Sequence, residues 1–121
     1  MGLGRIQEVE YSFKFLGKIM KILCVCARGN SRSVALAWIL KDHLGLDAIA
    51  MGIEANSPET KDMLFKWADK IVLVDKSFEP QIPDEFKPKL KIYDVGGDRF
   101  FRGFEPELLN MYSEYLQKDP L

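Results

Sequence analysis

The sequence has few of the side chains that metal sites and histidine-dependent active sites require. Its 121 residues include only two cysteines, Cys24 and Cys26, and one histidine, His43. These three residues supply neither the ligand spacing of a zinc site nor a Cys-His-Asp triad, so we expect no metal and no other cofactor. Cysteines one residue apart in an extended strand are expected to diverge rather than to form an ordinary disulfide. Reduced thiols, as in a cytoplasmic protein, are therefore predicted.

The chain also lacks an excess of charge of one sign and a long apolar run. Seventeen Lys and Arg residues oppose eighteen Asp and Glu residues, which gives a formal net charge of -1. A nearly neutral chain has no global field that attracts nucleic acid or an anionic membrane, so we expect neither as a partner. The apolar runs fall short of the roughly 18 residues that a membrane span requires. A soluble protein is predicted, in which any anion site is local.

The length and composition predict a single folded domain. A chain of 121 residues has room for one domain, and 47% hydrophobic residues exclude disorder of the whole chain. The first strong pattern begins at residue 20, so the domain is predicted at 20–121. Residues 1–19 are predicted to be an extension, either disordered or adding a short edge strand through the alternating residues Tyr11, Phe13 and Phe15.

Short apolar strands alternate with helical segments along the predicted domain. Strands are predicted at 22–26, 47–51, 70–75 and 90–93, and helices at 33–44, 57–67 and 106–116. Between the last two strands, three prolines predict a mostly irregular connection that has room for one helical turn. With right-handed crossovers, this order predicts an α/β protein whose four-stranded parallel sheet carries helices on both faces.

The segment after the first predicted strand, CARGNSRS, contains the candidate chemistry. Ligands of an open α/β sheet bind beyond the carboxyl ends of the strands, and this segment lies at the first such end. A short loop that enters a helix can turn successive backbone amides toward one oxyanion, and Gly29 permits the curvature. Arg32 can clamp two phosphate oxygens, and the same positive potential should ionise the Cys26 thiol. The pattern predicts a thiolate nucleophile that faces a phosphoryl group.

The motif Cys-x-x-Gly-x-x-Arg-Ser resembles the phosphate-binding loop of cysteine-dependent protein tyrosine phosphatases. Its position after the first strand is similar to the low-molecular-weight class, and the resemblance covers about residues 20–117. The resemblance implies a three-layer, flavodoxin-like fold with strand order 2-1-3-4 and a metal-independent phosphomonoester hydrolase with a phosphocysteine intermediate. It makes Cys26 the nucleophile, Arg32 the phosphoryl clamp and Ser33 the support of the thiolate. The other loop residues would bind substrate: Ala27, Arg28, Gly29, Asn30 and Ser31.

The loop departs from the usual pattern of that class at two positions. The pair Gly29-Asn30 begins three residues after the cysteine, whereas the class usually has it two residues after. Ser31 stands where many members carry a second cysteine. A protective disulfide within the loop is therefore excluded, and Cys24 is the only cysteine that could substitute.

A general acid is expected on the loop after the last strand, because a phenolate or alkoxide leaves more readily with a proton. The family supplies an aspartate there, just before aromatic residues. Asp94 and Asp98 are both candidates, and we favour Asp98 because it lies on a glycine-hinged loop before Phe100 and Phe101. These two phenylalanines, together with Ile53, are predicted to wall a slot that favours an aryl phosphate.

Two other functions fit the same loop. An arsenate reductase would bind an oxyanion of the same shape, but it needs a further thiol, for which only Cys24 or an external thiol is available. A phosphocarrier or phosphate-binding module with a similar loop lacks the clamping arginine and the acid, so Arg32 argues against it. The sequence favours a cytoplasmic protein tyrosine phosphatase that acts on a phosphotyrosine-containing protein or a small aryl phosphate.

Overall fold

Four parallel strands form the sheet that positions the candidate loop. The computed structural model describes residues 14–15, 18–29, 31–96 and 105–121. Within them, β1 (Lys14–Phe15) and β2 (Lys18–Ile19) form an antiparallel ribbon. The main sheet contains β3 (Lys21–Cys26), β4 (Asp47–Gly52), β5 (Lys70–Leu73) and β6 (Leu90–Ile92) in the order β4-β3-β5-β6. The predicted order 2-1-3-4 is confirmed.

The register of the sheet aligns the ends of its strands. Cys26 at the end of β3 lies opposite Gly52 at the end of β4, and Val25 lies opposite Leu73 at the end of β5. Because neighbouring strands run in the same direction, the loops that follow them open at one edge of the sheet. The candidate loop after Cys26 therefore shares this edge with the segments that follow β4, β5 and β6.

In the described part of the chain, three α-helices flank the sheet, and the first changes type along its length. They are α1 (Arg32–Trp38), α2 (Pro58–Trp67) and α3 (Pro106–Lys118). A π-helical turn at Ile39–His43 follows α1, where a single continuous helix is predicted. The predicted capping hydroxyl of α2 is confirmed, because Ser57 Oγ accepts a hydrogen bond from the Thr60 amide at 3.2 Å. None of the helices in the described part of the chain has the length and apolar character that crossing a bilayer requires.

The connection between β5 and β6 is more regular than predicted. It contains two 3₁₀ helices, Lys76–Gln81 and Asp84–Lys89, where a mostly irregular connection with room for one helical turn is predicted. Each includes a proline, Pro80 or Pro88, near its end. A 3₁₀ helix this short contains few backbone hydrogen bonds, so the N–H that a proline lacks removes little of its stabilisation.

Strand β3 is buried on both faces of the sheet. Ile22, Cys24 and Cys26 pack in one apolar cluster with residues of α1 and α3. Leu23 and Val25 pack in a second cluster with α2 and the connection after β5. Helices therefore cover both faces, as predicted for this fold class.

The expectation that the two cysteines diverge is wrong. Cys24 and Cys26 belong to the same cluster, because residues two apart in a strand point to the same face. Both are free thiols, and Cys24 is fully buried. Burial raises the pKa of Cys24, and the neighbouring Cys26 raises it further. Cys24 is a neutral core side chain.

The N-terminal ribbon forms a two-stranded sheet of its own among the described residues. Strand β1 pairs with β2 there, and the prediction that residues 1–19 are disordered or add a short edge strand stays a prediction. Tyr11 and Phe13, two of the three aromatic residues in that prediction, lie outside the described residues.

Candidate active site

Two glycines allow the loop after β3 to lie directly against the end of β4. Gly29 has a φ of +73°, and a Cβ atom there would lie 2.6 Å from the Gly52 nitrogen. A Cβ on Gly52 would lie 2.3 Å from the carbonyl carbon of Arg28. Both contacts are with backbone atoms that cannot move aside easily. Gly29 therefore meets two requirements at once, a left-handed conformation and close approach to a neighbouring chain.

Backbone hydrogen bonds and one side chain fix this contact. The Ile53 amide donates to the Cys26 carbonyl at 2.8 Å, and the Glu54 amide donates to the Ala27 carbonyl at 2.9 Å. Asn56 Oδ1 accepts from the Gly52 amide at 3.1 Å. Neither Gly52 nor Asn56 is among the predicted site residues. The only sequence signal for Gly52 is its position at the end of the second strand.

The Cys26 thiol lies at the base of the loop and is surrounded by hydrogen-bond donors. Its Sγ is 3.0 Å from Ser33 Oγ and accepts from the Gly29 amide at 3.1 Å. Burial by itself would raise the pKa of Cys26. Hydrogen bonds from the Ser33 hydroxyl and from backbone amides of Ser33, Gly29 and Arg28 outweigh that effect and hold the pKa below its ordinary value. The loop thus favours a thiolate at Cys26.

Arg32 is the first residue of α1, and its side chain is buried at the carboxyl ends of the strands. It is 1% exposed, and its Nη1 donates to Gly96 O at 2.8 Å and to Asp75 Oδ2 at 3.2 Å. The Tyr112 hydroxyl donates to the Arg32 carbonyl at 2.7 Å. A charge this deeply buried is costly unless it is paired and hydrogen-bonded, and the bonds of Nη1 to Asp75 and Gly96 supply this pairing.

Asp75 is a site residue that the sequence reasoning missed. It follows β5, and its Oδ1 accepts from both the amide and the hydroxyl of Ser77, at 3.0 and 2.7 Å. Burial would raise the pKa of Asp75, but the hydrogen bonds from Ser77 and the charge of Arg32 hold that pKa below its ordinary value. Asp75 is therefore an anion opposite Arg32. The signal that could have found it is an aspartate directly beyond a buried strand, at the edge where the loop lies.

The structure brings together three of the residues predicted for the loop, Cys26, Gly29 and Ser33. Arg32 precedes Ser33 on α1, and its guanidinium contacts Asp75 and Gly96. Ala27 is half-buried and Arg28 is exposed. Ser31 is buried beside the start of α1, and its carbonyl accepts from the Ala35 amide at 3.0 Å. Asn30 lies outside the described residues.

Of the two candidate acids, only Asp94 is among the described residues. Its carboxylate accepts from the Gly96 amide at 2.7 Å, which closes a turn after β6. Its carbonyl accepts from the Tyr115 hydroxyl at 2.7 Å. A carboxylate engaged with its own backbone two residues on is a turn-forming aspartate. Asp98, Phe100 and Phe101 lie outside the described residues, so their predicted roles remain predictions.

The prediction that Ile53 walls the slot is wrong. Ile53 is 1% exposed and packs in the cluster with Phe65 and Phe86. The turn after β4 places this side chain in the apolar cluster that includes Phe65 of α2. Ile53 therefore anchors the segment whose amide holds the Cys26 carbonyl.

No protein-family model, no curated protein and no solved structure matches this chain. Any function assigned to the site therefore rests on the chemistry of its own side chains. In the described part of the chain, no three His, Cys, Asp or Glu side chains are grouped where they could hold a metal ion. What the described residues bring to one edge of the sheet is an activated thiol and a buried, oriented guanidinium group.

Proposed function

We propose that the protein is a metal-independent phosphomonoester hydrolase of the protein tyrosine phosphatase type, similar to the low-molecular-weight class. The observation that carries the proposal is the Cys26 thiol, whose pKa is lowered by Ser33 and Gly29 beside the loop that leads into buried Arg32. A structural thiol needs neither these donors nor an arginine on the next helix. We infer a phosphotyrosine-containing protein or a small aryl phosphate as substrate, and action in the cytoplasm.

The proposed reaction has two steps. The Cys26 thiolate attacks phosphorus, a sulfur–phosphorus bond forms, and the bond from phosphorus to the phenolic oxygen breaks. Asp98 donates a proton to the departing oxygen. Water then attacks the phosphocysteine, Asp98 takes a proton from that water, and inorganic phosphate leaves with the thiolate regenerated.

Arg32 would stabilise the charge that develops on the phosphoryl oxygens. Its bonds to Asp75 and Gly96 fix the guanidinium before substrate arrives, so little reorganisation is needed during the reaction. The loop amides and Arg32 together supply the positive potential that a metal ion provides in other phosphatases. Because these groups supply the positive potential, we expect hydrolysis to proceed without a metal ion.

The surroundings of Cys24 argue against an arsenate reductase that relies on its own thiols. Such an enzyme needs a second thiolate that can reach the sulfur of the first. Cys24 is fully buried and its pKa is raised, so it is a poor attacking thiol. The salt bridge between Arg32 and Asp75 also argues against a phosphocarrier, because a phosphocarrier loop has no such arginine to orient.

The direct test is hydrolysis of para-nitrophenyl phosphate by the purified chain in the presence of EDTA. We expect turnover by the wild type, at most a few per cent of it in Cys26→Ser, and turnover close to wild type in the control Cys24→Ala. Both variants remove a buried thiol from β3, so the comparison separates chemistry from packing. Equal activity in Cys26→Ser and wild type would rule out the proposal.

A further inference from the structure

Helix α3 acts on Arg32 at two points, its backbone carbonyl and, through an intervening turn, its guanidinium group. Tyr112 and Tyr115 lie three residues apart on α3, so their side chains emerge on the same side of the helix. The Tyr112 hydroxyl donates to the backbone carbonyl of Arg32 at 2.7 Å. The Tyr115 hydroxyl donates to the carbonyl of Asp94, also at 2.7 Å. Two hydroxyls of one helix thus grip two separate segments of the candidate site.

The contact made by Tyr115 leads to the other end of the arginine. Asp94, whose carbonyl Tyr115 holds, closes a turn by accepting from the Gly96 amide at 2.7 Å. The carbonyl of Gly96 accepts in turn from Arg32 Nη1 at 2.8 Å. Tyr115 therefore stabilises the turn at residues 94–96, whose Gly96 carbonyl binds the guanidinium of Arg32. Tyr112 stabilises the backbone of Arg32 itself.

Both tyrosines are well suited to permanent donation. Burial raises the pKa of Tyr112 well above its ordinary value. Burial and the nearby Asp94 also raise the pKa of Tyr115. Both hydroxyls therefore keep their protons at neutral pH. Tyr115 is further held by its stacked neighbour Tyr93, with ring centroids 4.9 Å apart and planes inclined by 15°.

We propose that Tyr112 and Tyr115 are positioning residues that set the geometry of the Arg32 guanidinium for binding a phosphoryl oxyanion. The proposal rests on the proposed function, since it assumes that Arg32 binds such an anion. Both hydroxyls are engaged with backbone carbonyls, so we expect neither tyrosine to contact the anion itself. Loss of either hydroxyl should therefore weaken anion binding through Arg32 and leave the fold intact.

The test measures affinity for inorganic phosphate, read as protection of Cys26 against alkylation by iodoacetate. We expect Tyr112→Phe and Tyr115→Phe to raise the dissociation constant for phosphate about three- to tenfold, the usual effect of one lost hydrogen bond. The control is Tyr93→Phe, which loses a hydroxyl bond to the Asp119 carbonyl in the same stacked pair. It should stay within about twofold of wild type.

A second arm tests whether the effect passes through Arg32. In an Arg32→Lys background the bond to Gly96 cannot form in the same way, so adding Tyr115→Phe should change phosphate affinity less than about twofold. The melting temperature of every variant is measured beside it, because a general loss of stability would affect Tyr93→Phe as well. Equal weakening in Tyr93→Phe, or the same factor with and without Arg32, would overturn the inference.

The outcomes separate the inference from the proposed function. If the wild type hydrolyses aryl phosphate but both tyrosine variants bind phosphate as the wild type does, the positioning role is wrong and the phosphatase stands. If the wild type neither hydrolyses aryl phosphate nor is protected by phosphate, the proposed function fails and the positioning role fails with it.

Discussion

Arg32 and Asp75 form a salt bridge of 3.2 Å between the start of α1 and the segment after β5, 43 residues later in the chain. The arginine side chain is 1% exposed and the aspartate side chain 16% exposed. A pair this far removed from water constrains its members more strongly than a surface pair does. Ser77 donates two hydrogen bonds to the second carboxylate oxygen of Asp75. Asp75 is therefore a fixed anion that orients the guanidinium of Arg32.

Replacing Asp75 by Asn should lower hydrolysis of aryl phosphates by about one to two decades, because the guanidinium loses the charge that orients it. The matched control is Asp69→Asn. Asp69 precedes β5, and its carboxylate accepts from the Lys21 amide at 2.9 Å, at the opposite end of the sheet. Steady-state kinetics should show the loss for Asp75 alone. Similar losses in both variants would indicate that Asp75 acts only through stability.

The pKa of Asp75 also predicts how the stability of the fold changes with pH. The folded-state pKa is held below its ordinary value, so the carboxylate stabilises the native state at neutral pH. That contribution should persist above the unfolded-state pKa and disappear as the pH falls through the folded-state pKa. Denaturant unfolding across acidic pH should therefore show a smaller pH dependence in Asp75→Asn than in the wild type. An identical dependence in both proteins would contradict the pairing.

Removing the Ser33 hydroxyl should raise the pKa of Cys26, because that hydroxyl supplies a hydrogen bond that favours the thiolate. The rate of alkylation by iodoacetate, measured against pH, should have its midpoint below the ordinary pKa of a cysteine thiol in the wild type and at a higher pH in Ser33→Ala. The control is Ser113→Ala, which removes another buried serine hydroxyl, bonded to the Leu109 carbonyl. A midpoint that does not move in Ser33→Ala would refute the assigned role.

Gly29→Ala should abolish activity and destabilise the fold by about 1–3 kcal/mol, because the new Cβ would meet the Gly52 backbone. Gly45→Ala is the matched control. Gly45 has nearly the same φ, +69°, but a Cβ there would have no neighbour within 4 Å. It bears the cost of the backbone conformation without the collision. Thermal unfolding and activity should therefore separate the two variants, and equal behaviour would mean that the close approach to Gly52 is unimportant.

The two candidate acids make different predictions about leaving groups. Asp98→Asn should slow substrates with poor leaving groups by roughly two to four decades and affect activated aryl phosphates less. Asp94→Asn should give a more uniform loss, because the carboxylate of Asp94 holds the turn that presents Gly96 to Arg32. Rates across a series of aryl phosphates decide between them. A graded loss for Asp94 with a uniform loss for Asp98 would reverse the assignment.

The fold and the loop were predictable because their signals are local in the sequence. The apolar run that ends at Cys26 specifies a buried strand, and the spacing to Gly29 and Arg32 predicts a loop that could bind an anion. The sequence marks Asp75 only by its position after a buried strand. Its pairing with Arg32 was not predicted, because the two residues are 43 positions apart and only strand order brings them together. Ile53 was misassigned for a similar reason, since the direction of a turn side chain depends on how α2 packs.

In the proposed reaction, Cys26 carries the phosphoryl group during turnover. The most direct measurement is a rapid acid quench of the wild-type protein during hydrolysis of an aryl phosphate, followed by peptide mapping by mass spectrometry. We predict one added phosphoryl group on the peptide that contains Cys26, and none on that peptide in Cys26→Ser. Hydrolysis by the wild type with no phosphorylated Cys26 peptide at any quench time, or with the phosphoryl group on another residue, would contradict the account.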